Sequence, residues 1–93
     1  MQKHYLVKDN KIICYFGVVD NYVYFKKTKY TKHYKTFILK NVRKVFNELL
    51  KKNEYLYTFS LNIKKLNKWH EFIGMTKQES FIFKGKQWNI WVA

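Results

Sequence analysis

The sequence predicts an α+β domain built on a single mixed sheet, in the order β-β-β-α-β-α-β-β. Three observations lead there. Apolar residues Ile38, Val42, Val45, Phe46 and Leu49 recur at helical spacing within Phe37 to Lys52, with Leu39 and Leu50 widening the stripe. The pairs Asp9-Asn10 and Asp20-Asn21 cut the chain ahead of that helix into short extended runs, as turn residues do. Finally, Asn62 to Val92 reads as helix, turn and hairpin: Ile63, Leu66, Trp69 and Ile73 share one helical face, Gly74 stops it, and two strand-like runs follow.

Taken in chain order, His4 to Val7 is a short extended segment, Ile12 to Val19 an apolar strand, and Tyr22 to Lys27 a strand rich in aromatic and β-branched residues. Thr28 to Lys35 (TKYTKHYK) has no apolar period and is expected to be an exposed loop. In the helix from Phe37, Thr36 is the expected N-cap and Asn53 the expected stop, and Lys51 and Lys52 suit the negative end of the helix dipole. Lys32 and Lys35 stand near its positive end, where cations cost a few tenths of a kcal/mol and a bound anion would reverse that sign. Tyr55 to Leu61 is the next strand, and the unit from Tyr22 through the helix to Leu61 should be parallel and right-handed. Asn62 opens the second helix. Phe81 to Phe83, Lys84-Gly85-Lys86 and Trp88 to Val92 form the closing hairpin.

Composition limits what such a chain can be. With 93 residues it is one domain, 1–93, whose folding hides only about 60–65% of the open chain's surface. The 47% hydrophobic and 20% aromatic content keeps it out of the disordered class despite a net charge of +13. Lys supplies 18 of the 19 basic residues and Arg43 the other, a bias that low-GC coding also produces. Charge of this size still attracts nucleic acid, anionic surfaces and acidic proteins in a salt-screened way. Cys14 is the sole cysteine, so neither an internal disulfide nor a zinc set is expected. No apolar run approaches the ~20 residues of a membrane span, and the first residues lack a signal-peptide core. A cytosolic or particle-enclosed protein is expected.

Several stretches carry a family likeness. Phe16-Gly17, the strand Val23-Tyr24-Phe25-Lys26-Lys27-Thr28, the helix Phe37 to Leu50, the strand end Leu61-Asn62, and Trp69 to Met75 (WHEFIGM) follow one another in a telling order. It resembles the GNAT superfamily of N-acetyltransferases, in particular the short GNAT-like proteins of short-tailed phages known as internal virion protein A. The likeness covers Ile12 to Val92, and WHEFIGM looks like that group's W-L-x-W-L-G-F, with Asn62 one residue further from Gly74 than the pattern expects. The resemblance implies a GNAT-like fold lacking the helices that normally precede the second strand. It also implies that acetyl-CoA, where it binds, lies between two splayed parallel strands, here Tyr22 to Lys27 and Tyr55 to Leu61. The pyrophosphate would then meet Lys32, Lys35, Thr36 and Phe37 at the start of the intervening helix.

The chain departs from the family at that place. The family uses a glycine-rich turn so that backbone N–H groups can approach phosphate; here the loop is Tyr30-Thr31-Lys32-His33-Tyr34-Lys35-Thr36, and lysines could hold phosphate only as point charges. Active relatives commonly use a tyrosine as general acid a few residues before the last helix's glycine, where this chain has Trp69 and His70. His70 is the candidate for proton exchange; the plain alternative is a helix histidine with no catalytic duty. The six acidic residues assemble no triad, metal set or carboxylate pair.

Tyr22, Tyr24, Tyr30, Tyr34, Tyr55, Tyr57, Trp88 and Trp91, interleaved with lysines, read either as sheet core or as a stacking platform for single-stranded nucleic acid. No RNP-like, OB-type or helix-turn-helix signature accompanies them. The leading expectation is a phage-encoded GNAT-like protein, located in the host cytoplasm or the virion, that acts by protein contact in virion assembly or on a host or phage partner without acetyl transfer. A minimal acetyl-CoA-dependent acetyltransferase of a protein substrate and a basic nucleic-acid-binding module are the alternatives.

Overall fold

A computed structural model describes residues 2–93. Three antiparallel strands lead: β1 (Gln2–Lys8), β2 (Lys11–Val19) and β3 (Tyr22–Lys27). Asp9, Asn10, Asp20 and Asn21 all hold positive φ, between 49° and 69°, so each pair forms the two-residue turn that the right-handed strand twist favours. A 3₁₀ turn, Thr31–His33, then precedes α1 (Lys35–Lys52). β4 (Tyr57–Leu61), α2 (Lys64–Ile73), β5 (Thr76–Phe83) and β6 (Lys86–Val92) complete the chain. Lys84 and Gly85, also at positive φ, turn the last hairpin.

The six strands form one mixed sheet in the order β1-β2-β3-β4-β6-β5, so the expected α+β architecture and element order are those of the molecule. β6 inserts between β4 and β5, antiparallel to both. β3 and β4 run parallel, but only Tyr22 and Tyr57 pair in register between them. The two strands therefore splay from that single bridge.

Both helices lie on one face. The α1 residues Ile38, Val42, Val45, Phe46 and Leu49 are buried, as their spacing predicts, against Cys14, Phe16, Val18 and Val23 of the sheet. Phe46 meets Phe16 at 6.4 Å between ring centres, and Trp69 of α2 meets Phe25 at 5.2 Å. Arg43 ties the helices together: its Nε donates to the Phe72 carbonyl at 2.7 Å while its guanidinium lies 4.3 Å from the Phe72 ring.

Several boundaries differ from the sequence expectation. Thr36 does not cap α1. The helix begins at Lys35, two residues before the expected Phe37; Tyr34 holds the cap position without a side-chain bond to the helix N–H groups, and Thr36 lies within the first turn. Asn53 does stop it, in extended conformation, with its Nδ2 donating to the Leu49 carbonyl at 2.8 Å. Asn62 does not cap α2 either; Ile63 holds that position, and Asn62 is drawn into side-chain bonds with Asn67 and Asn89. β4 begins at Tyr57 rather than Tyr55, because Leu56 is already engaged in a mutual backbone pair with Ala93. β5 starts at Thr76, five residues before the expected Phe81, since the polar Thr76–Ser80 stretch pairs with β6 without any apolar alternation to announce it.

The loop expected to be simply exposed is pinned. Thr28 Oγ1 donates to the Ile12 and Ile13 carbonyls at 2.8 and 3.0 Å, and Thr31 Oγ1 donates to Ile13 at 2.6 Å. Those β2 carbonyls lie close to the register shift between Leu6 and Val7, where regular pairing is interrupted. Among the described residues no helix is long and apolar enough to cross a membrane.

Candidate functional site

The start of α1 gathers most of the residues that the family likeness singles out. Ile38 N–H makes the first helical bond, to the Tyr34 carbonyl at 3.0 Å, so the N–H groups of Lys35, Thr36 and Phe37 precede the intrahelical ladder. No acidic residue occupies the first turn. Two shallow clefts flank this point. One is lined by Lys27, Thr28, Lys29, Thr31, Lys32 and Lys35. The other shares Lys32 and Lys35 and adds Lys8, His33, Thr36, Phe37 and Lys40.

Lys32, Lys35, Thr36 and Phe37 are thus brought together, with four lysines that the sequence reading did not include. Lys40 was legible, since it follows Thr36 by one helical turn on the same side. Lys27 and Lys29 arrive with the pinned loop. Lys8 comes from the far end of the β1–β2 hairpin, its ammonium 5.1 Å from the Phe37 ring, a proximity that only the tertiary fold creates. One carboxylate reaches the region: Tyr34 Oη donates to Asp9 Oδ2 at 3.0 Å, and that bond with Asp9's charge raises the tyrosine's pKa.

Six lysines around three unengaged helix N–H groups make a strongly positive rim suited to phosphate or carboxylate oxygens. The side chains supply this by charge. The N–H groups supply direction, behind the lysine stems rather than in a glycine cradle. The β3–β4 splay starts from the Tyr22–Tyr57 bridge and opens along β3 toward Lys27, the end of the strand at which this rim lies.

His70 is held elsewhere and for another purpose. It is 8% exposed, its ring stacked on Trp91 at 5.1 Å with planes 13° apart. Nδ1 lies 2.7 Å from the Leu66 carbonyl, an acceptor, so Nδ1 carries the proton and donates. Burial lowers its pKa, and the bond to Leu66 offsets part of that. Trp91 Nε1 in turn donates to Ser60 Oγ at 3.0 Å. The imidazole is therefore a neutral packing group between α2 and the sheet, with one nitrogen already committed.

Of the rings considered as a stacking platform, Trp91 is core, at 1% exposure, and Tyr30 and Tyr34 pack at the edge of the core beneath α1's start. Tyr22 and Tyr57 instead lie on the face of the sheet opposite the helices, together with Phe59, which the sequence reading passed over. Alternation along β4 was the available signal: Thr58 and Ser60 are buried toward the helices, so Tyr57, Phe59 and Leu61 point away.

No protein-family model matches this sequence, and no curated protein matches it. Among solved structures, it is similar to the crystal structure of a putative acetyltransferase of the GNAT family from Desulfovibrio desulfuricans. The superposition covers 98% of this chain with a TM-score of 0.58 and 13% sequence identity. The chain spans 66% of that protein's length. At such identity the likeness is one of fold, and the fold is GNAT-like.

Proposed function

We propose that this chain is a phage-encoded GNAT-like domain that works by contact with a protein partner, in virion assembly or on a host or phage protein, in the host cytoplasm or the virion, and not by acetyl transfer. The observation that supports this is the state of His70. The only proton-exchanging group that the family likeness offers on the last helix is buried, stacked on Trp91 and hydrogen-bonded to its own helix. An amine acceptor needs a group that can take its proton within hydrogen-bond reach, and a packed imidazole does not provide one. The net charge of +13 favours an acidic partner surface.

Acetyl-CoA is the cofactor that the fold suggests, and the residues at α1's start fit its phosphates by charge. Lys32 and Lys35 would hold them, with the N–H groups of Thr36 and Phe37 behind. When bound, that group supplies an activated acetyl thioester. This rim favours the second reading, a minimal acetyltransferase acting on a protein. Calorimetric titration with acetyl-CoA, followed by mass spectrometry of lysines in acidic test proteins, separates the two. Contact without transfer predicts no acetylated lysine above the uncatalysed background. Low-micromolar binding accompanied by turnover would overturn it. The phage assignment is tested by gene neighbourhood, where flanking tail and core genes are expected.

A further inference from the structure

The sheet face turned away from α1 and α2 is built largely from aromatic rings. Tyr22, Tyr57 and Phe59 meet one another at 5.5, 5.9 and 5.7 Å between ring centres, and Phe59 reaches Phe81 at 6.0 Å. The row crosses from β3 over β4 to β5, about 14 Å at ordinary strand spacing. A second row, Tyr5, Tyr15 and Tyr24, continues the surface over β1 to β3 at 5.2 and 6.4 Å. Phe59 is 43% exposed and Phe81 37%. A sheet with one face on the core ordinarily turns polar side chains outward on the other. Here many of the outward positions are rings, and no helix covers them among the described residues.

Cations are interleaved with these rings. Lys3 stands 5.3 Å from the centre of Tyr15, Lys26 is the register partner of Tyr15, and Lys86 is that of Phe83. Glu79, opposite Ile90, is the carboxylate on the same face. A second copy of the chain is a poor occupant, since each copy brings a net charge of +13 and like charges oppose face-to-face packing. Flat rings with flanking ammonium groups complement a ligand that presents flat π-faces and regularly spaced anions.

We propose that this face binds single-stranded nucleic acid, with bases on the Tyr22–Tyr57–Phe59–Phe81 row and phosphates on Lys3, Lys26 and Lys86. A single strand fits where a duplex does not, because only unpaired bases can offer their faces to protein rings. The surface is separate from the α1 rim, so this inference stands or falls independently of the function proposed above.

The test is fluorescence anisotropy of a labelled oligothymidylate titrated with the full chain at about 50 and 200 mM salt. Each of Phe59→Leu and Tyr57→Leu should weaken binding about 5- to 150-fold, with the salt slope unchanged. Phe59→Tyr, which keeps a ring, should bind like the parent. Lys26→Gln with Lys86→Gln should lower the salt slope by about 1 to 2. Circular dichroism identifies variants that keep the parental fold, and Phe59→Tyr provides the comparison if a leucine variant does not. The proposal is overturned if folded leucine variants bind as tightly as the parent, which would make the attraction charge alone. It is equally overturned if Phe59→Tyr loses binding, if the parent binds no oligothymidylate at the lower salt, or if sedimentation shows a ring-dependent dimer that excludes the oligonucleotide.

Discussion

Burial sets the behaviour of individual side chains here, and two of them show it in measurable ways. The His70 imidazole takes a proton at about 6.5 in an open chain, whereas the folded environment lowers that value. Above about pH 6.5 both states are neutral and the stability associated with this group is fully present. As pH falls through that value the unfolded chain binds more protons than the folded one, so stability declines until the folded imidazole itself protonates. Urea unfolding between about pH 7 and pH 5 should follow this course in the parent and flatten in a His70→Phe variant; an unchanged slope in the variant would assign the effect elsewhere. Cys14, fully buried, has its thiol pushed up to about 11, so it should react with thiol reagents only as fast as the chain unfolds. Gly17 is constrained by a different neighbour. A Cβ there would clash with the Tyr24 ring, which lies across the glycine. Because Tyr24 is only half-buried its ring can swing aside, and Gly17→Ala should cost about 1–2 kcal/mol, read as a lower urea midpoint at unchanged slope.

Among elements, the junction of β4, α2, β5 and β6 is held by a polar knot that one buried residue organises. Asn89 is fully buried; its Nδ2 donates to Asn62 Oδ1 at 3.1 Å and Asn67 Oδ1 at 3.0 Å, and its Oδ1 accepts from Ser80 Oγ at 2.7 Å. Replacing it with leucine removes three bonds and leaves their partners to find water, so Asn89→Leu should cost about 1–3 kcal/mol, whereas Asn62→Ala, at an exposed position, should cost less. Equal losses in chemical denaturation would mean that the knot is not centred on Asn89. This junction also marks where reading the sequence stops being sufficient. Turn pairs, the α1 stripe and the closing hairpin were legible because each is a local pattern: φ-tolerant residues, a 3.6-residue period, a glycine between extended runs. Asn62 fits a helix cap by type and position. Its real partners exist only because β6 slots between β4 and β5, and no local pattern encodes that insertion. The Thr28 and Thr31 anchors are illegible in the sequence for a similar reason, since their acceptors are β2 carbonyls that pairing irregularities make available. The candidate rim was half legible, Lys32 to Phe37 and Lys40 by sequence and Lys8, Lys27 and Lys29 only through tertiary approach.

For the molecule as a whole, charge is the dominant unresolved stress. A net charge of +13 sits on a body of 41 × 28 × 20 Å, while among the described residues one ion pair is formed, Lys51 with Glu48 at 3.1 Å. Most of these charges lie within a few Debye lengths of one another at low salt, about 10 Å each at 0.1 M, so self-repulsion opposes the compact state. Added sodium chloride should therefore raise the melting temperature by screening. Phosphate should raise it further at equal ionic strength, partly by strengthening apolar burial in general and partly by binding folded protein at the α1 rim, which adds RT ln(1 + [L]/Kd). The two parts separate in a Lys32→Gln, Lys35→Gln variant. Both side chains are exposed, so their loss leaves the core intact and lowers the repulsion. The variant should melt higher than the parent in dilute buffer, keep the chloride response in reduced form, and lose the extra increment with phosphate. A phosphate increment of the same size in both proteins would show that the helix start and its lysines hold no anion, and would remove the physical basis for placing a phosphate-bearing cofactor there.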